Sequence, residues 1–134
     1  MRKAVHSGVS LFAAALALAT VQSAAAEPFL SRGWRFDERG GEALYQHIYS
    51  ACHQADGKGA VGAAAYPALM GNRNLASAEY VESILFNGLR GMPALGRMMS
   101  DEQVADVVNY VRSRFGAITA GGVTAEDIKA ARPK

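Results

Sequence analysis

The chain is poor in cysteine: Cys52 stands alone among 134 residues. An internal disulfide is thereby excluded, and in an exported protein that thiol is free, paired between chains or chemically occupied. Alternation of apolar and polar residues with a period of two is missing as well, which argues against a sheet protein, and no segment repeats. The N-terminal apolar stretch, Val9 to Val21, has only 13 residues, too short to span a bilayer comfortably. An excess of charge is also missing. Fourteen basic residues face 12 acidic ones, and setting aside Arg2 and Lys3 leaves 12 of each. The pI near 8.9 therefore partly reflects two N-terminal residues and gives no support to nucleic-acid binding.

What is present begins with an export signal over residues 1–26. Arg2 and Lys3 supply a positive start, the alanine-rich run follows, and Ala24-Ala25-Ala26 offers small residues at the cleavage positions before Glu27-Pro28. The expected destination is the periplasm, with no stable membrane insertion after cleavage; an uncleaved anchor is the alternative. The remaining 108 residues make one domain with a modest core. Residues 27–40 contain Pro28, Gly33 and the charged run Arg35-Phe36-Asp37-Glu38-Arg39 without clear periodicity, and read as an N-terminal arm.

Helical periodicity starts at Gly41, where Leu44, His47, Ile48, Ala51 and Cys52 are spaced to share one face of a helix ending near Cys52-His53. A second helix is expected from about Ser77 to Asn87, with Tyr80, Val81, Ile84 and Leu85 as its stripe and Gly88 past its end. The third has the clearest signature. Ser100 and Gln103 form a capping-box pattern, Asp101 and Glu102 suit the positive end of the helix dipole, and Val104, Val107, Val108, Val111 and Phe115 follow before Gly116. Residues 117–134 read as a C-terminal tail with one short helical turn at Thr124 to Ala131. The connections 54–76 and 88–99 are long for a compact helical domain. Three helices with so much irregular chain make a poor core, and an apolar cofactor at the centre would resolve the difficulty.

Certain residues occur in a telling order: Gly41 and Tyr45, Cys52-His53, Gly57-Lys58-Gly59, Tyr66-Pro67-Ala68-Leu69 with Gly71-Asn72, Gly91-Met92-Pro93, and Val107-Val108-Asn109-Tyr110-Val111-Arg112. Each piece is weak alone, but the ordered set resembles a small monohaem c-type cytochrome of the class I family over roughly residues 40–116. The resemblance implies an all-α cytochrome c fold, with three main helices and long loops wrapped around one haem in a domain spanning 41–116. It also implies a non-catalytic, one-electron carrier. His53 would ligate iron through Nε2, with its other ring nitrogen held by the Pro67 carbonyl, and Met92 would supply a thioether on the other side. Met98 and Met99 are rival sulfurs. Gly41 and Tyr110 would mark the close crossing of the first and last helices, Tyr45 would pack at the haem edge or in the core, and His47 is a packing or surface histidine.

The sequence departs from the family at Tyr49, where the first attachment cysteine would stand. Tyr49 cannot form a thioether, so the expectation is one haem c on a single link through Cys52, with Tyr49 at the cofactor, either filling the space of the lost thioether or hydrogen-bonding near the haem. By further analogy the chain is similar to cytochromes that accept electrons from flavin- or quinone-cofactor dehydrogenases and pass them to an oxidase or another cytochrome. Lys58, Arg73, Arg90 and Arg97 fall in the loops around the expected site, which suggests a weakly basic docking face. A competing reading is a haem-free or loosely haem-binding interaction subunit of such a dehydrogenase. Cys52 as a nucleophile with His53 as base is disfavoured, because adjacent helical residues point about 100° apart.

Overall fold

The computed structural model describes residues 35–62 and 65–134. All of them fall in the unit Arg32–Lys134, and the export signal expected over 1–26 lies outside the described residues. No helix among those described is long and apolar enough to cross a membrane. The described chain is mostly helical, in the order α1 (Gly41–Leu44), a π-helical segment (Tyr45–Tyr49), α2 (Ser50–His53), β1 (Ala60–Val61), β2 (Ala65–Tyr66), α3 (Ala78–Asn87), α4 (Asp101–Gly116) and α5 (Ala125–Ala131). Short 3₁₀ segments, Arg73–Ala76 and Leu95–Met98, lie within the two long connections.

Local chemistry sets the helix starts. The Ser77 hydroxyl accepts from Tyr80 N–H at 3.0 Å and opens α3. Ser100 and Gln103 make the reciprocal capping box of α4, and Gln103 goes further: its amide nitrogen donates to the carbonyls of Phe36 and Glu38, tying the N-terminal arm to α4. Thr124 and Asp127 repeat the box at α5. The end of α4 differs from expectation: Gly116 stays helical, and Ala117 takes the left-handed cap at φ 56.

The first helix also differs. Leu44, Tyr45, Tyr49 and His53 are buried, whereas His47 and Ala51 are exposed and Ile48 and Cys52 half-buried. The π-helical segment, with hydrogen bonds to i+5, is wider than an α-turn and rotates the inward face away from the one a 3.6-residue period selects. A two-residue antiparallel pairing, Ala60 with Tyr66 and Val61 with Ala65, was not anticipated; strands this short carry no alternation to read.

The core is formed where α1, α3 and α5 pack on α4. Leu44, Tyr45, Phe86, Val104, Val107, Val108 and Ile128 are fully buried. The helices α1 and α4 meet at Gly41, where an added methyl would collide with the Asp106 backbone and Tyr110 Cβ; the close crossing expected at Gly41 and Tyr110 is present. Arg112, also buried, donates to the carbonyls of Leu75, Ala76 and Gly121 and joins α4 to two irregular segments. Residues 117–134 are held down as well, because α5 seats Ile128 in the core.

Candidate functional site

The helix α2 ends on the Cys52-His53 pair because Gln54 turns out of helical geometry at φ 66. The chain then folds back. Gly57 carbonyl accepts from Leu69 and Met70 N–H at 2.7 and 3.0 Å, and Gly59 N–H donates to His53 carbonyl at 3.0 Å. Gly59, at φ 69, lies so close to Tyr66 and Pro67 that any Cβ there would strike their backbone. Only glycine satisfies both the positive φ and that approach. Its consequence is positional: Pro67 carbonyl sits 3.0 Å from His53 Nδ1, on a ring only 7% exposed. The carbonyl can only accept, so Nδ1 carries the proton and Nε2 presents its lone pair to any further partner. Cys52, next to it, is a half-buried free thiol.

Tyr49 lies inward. Its ring stacks on Tyr45 with centroids 6.4 Å apart, and its hydroxyl donates to Met99 Sδ at 3.7 Å. Burial pushes both phenols above their ordinary range, Tyr45 to about 12. The Tyr45 hydroxyl donates to Gln54 carbonyl at 2.6 Å, bracing the turn that ends α2. Tyr45 therefore packs in the core, and His47 is a surface residue beside Glu38.

The three methionines of the connection between α3 and α4 fare differently. Met99 is 3% exposed and its sulfur accepts from Tyr49, so it is a core residue. Met92 is half-buried against the edge of the core, at one corner of a tight turn in which Leu89 and Met92 exchange backbone hydrogen bonds of 3.0 and 2.9 Å. Met98 is half-buried in the 3₁₀ segment.

A feature the sequence did not flag is where large apolar side chains remain exposed. Val61, Tyr66, Met70 and Leu89 are the exposed large hydrophobics among the described residues. Tyr66 is the neighbour of Pro67, Met70 follows the segment held by Gly57, and Leu89 pairs with Met92. These loops have no periodicity from which an outward apolar surface can be read. An imidazole oriented through Nδ1, with an adjacent thiol and the exposed Tyr66 ring next to Pro67, fits a haem in donor chemistry.

This helical domain, with its oriented histidine beside a lone thiol, has the features of a c-type cytochrome. The family described as cytochrome c oxidase, cbb3-type, subunit III matches residues 36–111, and the chain belongs to that family of c-type cytochromes. Among individual proteins it is similar to the fructose dehydrogenase cytochrome subunit of Gluconobacter japonicus, at 36% identity, covering 69% of this chain and 22% of that one. It is 32% identical to the gluconate 2-dehydrogenase cytochrome c subunit of Pantoea cypripedii, covering 74% of this chain and 25% of the relative. A third relative is the cytochrome c subunit of the quinone alcohol dehydrogenase of Gluconobacter oxydans, at 30% identity over 69% of this chain and 22% of the relative. The chain thus spans a quarter or less of the length of these relatives.

Proposed function

We propose that the protein is an exported, periplasmic one-electron carrier holding one haem in a domain over residues 41–116. His53 and Met92 would hold the iron, and Cys52 would be the single covalent anchor. The observation that supports this reading is the 3.0 Å hydrogen bond from His53 Nδ1 to Pro67 carbonyl, which leaves Nε2 of a buried histidine available as a ligand. When bound, the haem supplies a one-electron iron couple. The chain's own residues do the rest. The Cys52 thiol would be the group that tethers the haem, by addition of S–H across one vinyl group with no leaving group. Met92 would contribute a soft sulfur that favours reduced iron, and the exposed Tyr66, Met70 and Leu89 would offer apolar surface to cover the haem. Tyr49 fills the place of the absent cysteine with a ring committed to the core. The names of the relatives support a dehydrogenase as electron donor, of the flavin or quinone type, with an oxidase or another cytochrome as acceptor.

Intact mass and a visible spectrum of the exported protein, before and after acid–acetone extraction, test this. The expected result is one haem added to the mass of a chain lacking residues 1–26, colour that survives extraction, and six-coordinate reduced bands. In Cys52→Ala the colour should extract, and in His53→Ala it should be absent or altered. A protein that stays colourless when matured with haem would remove electron transfer as the function and leave a haem-free interaction subunit.

A further inference from the structure

Residues 88–99 carry Met92 between α3 and α4; the turn at Met92 is closed by its own Leu89–Met92 backbone bonds of 3.0 and 2.9 Å, whereas the stretch from Ala94 onward that anchors this turn to α4 is less tightly held. Its 3₁₀ segment, Leu95–Met98, has no side-chain cap. The backbone bonds that run through and out of it, Arg97 N–H to Ala94 carbonyl and Met99 N–H to Gly96 carbonyl, are both 3.3 Å long. Side chains add restraint: Arg97 Nε–H donates to the Phe86 carbonyl of α3 at 2.8 Å, and a second arginine reaches in from outside the segment. The Arg132 guanidinium, just past α5, donates to Gly96 carbonyl at 3.3 Å and to Met99 carbonyl at 3.0 Å. It is aimed by Asp101 at the start of α4, at 2.7 Å, and lies over the Phe86 ring of α3, 4.8 Å from its centroid. Phe86 is 1% exposed and Ile128 of α5 is fully buried, so both supports are fixed.

We infer that Arg132 is a positioning residue for Met92: one guanidinium fork locks the methionine-bearing segment to α3, α4 and α5, and α5 thereby governs how firmly the thioether is presented. This rests on the reading of Met92 as a ligand. Lysine cannot substitute, because an ammonium lacks the planar fork needed to serve a carboxylate, two carbonyls and a ring face together. Two of these bonds tie the segment directly, and charge-assisted bonds of this kind are the strong ones.

The test uses the haem-loaded full chain with Arg132→Gln, Arg132→Lys and Asp101→Asn, the last two keeping most of the packing should the first not fold. Amide hydrogen exchange is read at Met92, Leu95, Arg97 and Met99 against the interior of α4, together with the reduction potential and the thioether-to-ferric charge-transfer absorption. Exchange at the four loop amides should accelerate roughly tenfold to a hundredfold in Arg132→Gln while α4 holds. The absorption should be lost at lower denaturant and the potential should fall; Arg132→Lys should not restore either, and Asp101→Asn should lie between. Unchanged loop exchange, or acceleration equal in the loop and in α4, overturns the inference. Met92→Ala is the separate control: if it leaves the absorption and potential as they were, Met92 is not the ligand, whatever the loop amides show.

Discussion

Tyr45 and Tyr49 place two phenols inside the core within one turn of the His53 segment, and both must stay neutral there. Burial is the main cause of their raised pKa values; for Tyr45 the neighbouring Tyr110 and Asp56 add to it, against a smaller opposing effect of Arg114. A folded-state pKa above the unfolded value means that the stabilisation is complete below about pH 10 and is lost as pH rises through the folded value. For Tyr45 that window runs from the ordinary 10.0 to about 12. Denaturant midpoints measured from pH 8 to 12 should therefore hold and then drop beyond about pH 10. Tyr45→Phe should flatten part of the drop while costing stability at neutral pH through the lost bond to Gln54 carbonyl, by about 1 kcal/mol. A Tyr45→Phe protein with the parent's full alkaline slope would show that the ionisation lies elsewhere.

At the scale of elements, α5 is the test of how much of residues 117–134 belongs to the fold. Ile128 is fully buried among α3 and α4 residues, so Ile128→Ala should destabilise by about 2–4 kcal/mol, measured by chemical denaturation. A cost below about 1 kcal/mol would return α5 to the status of a loose tail. Much of this architecture was legible beforehand: α4 carries its polar cap and apolar stripe in register, and Gly41 with Tyr110 marked the α1–α4 crossing. For α3 the extent was legible, but its inward face runs through Val81, Leu85 and Phe86 while Tyr80 and Ile84 are only half-buried. The inward face of the first helix was not legible. Its apolar residues fit an ordinary 3.6-residue period, and the π-helical segment that turns Tyr45 and Tyr49 inward has no local sequence signature. Nor was the αL cap at Ala117 legible, since Gly116 is the residue local preference selects. The bond between His53 and the Pro67 carbonyl was legible only through family order. The Arg132 fork, reaching carbonyls more than thirty residues away, follows from tertiary packing alone.

For the whole molecule, net charge says little about association and the placement of unpaired cations says more. Of the four cations in the loops near the proposed site, Lys58 is bound to Asp56 at 2.8 Å and Arg97 donates its Nε–H to Phe86 carbonyl. Arg73 and Arg90 are exposed and make no hydrogen bond or ion pair among the described residues. Arg90 also holds φ 53 in the turn beside Met92, a conformation that glycine adopts freely and an arginine does not. An exposed, unpaired guanidinium held in such a turn, next to the exposed Leu89, suits a docking face for an acidic partner better than a purely structural role. Charge complementarity acts mainly on the association rate, and exposed charges are screened within about 8 Å at physiological salt. Electron transfer to an acidic redox partner, followed by stopped flow, should therefore slow as salt rises. Arg73→Glu combined with Arg90→Glu should lower the low-salt rate by about tenfold or more and flatten its salt dependence. Lys58→Glu should do less, because Asp56 already neutralises that charge. Arg90→Gly separates the two aspects of its position: it relieves the backbone, so a gain in stability accompanied by slower association assigns the side chain to docking. A parent rate that is the same at low and high salt would remove the basic docking face, and recognition would then rest on the apolar contacts around Leu89.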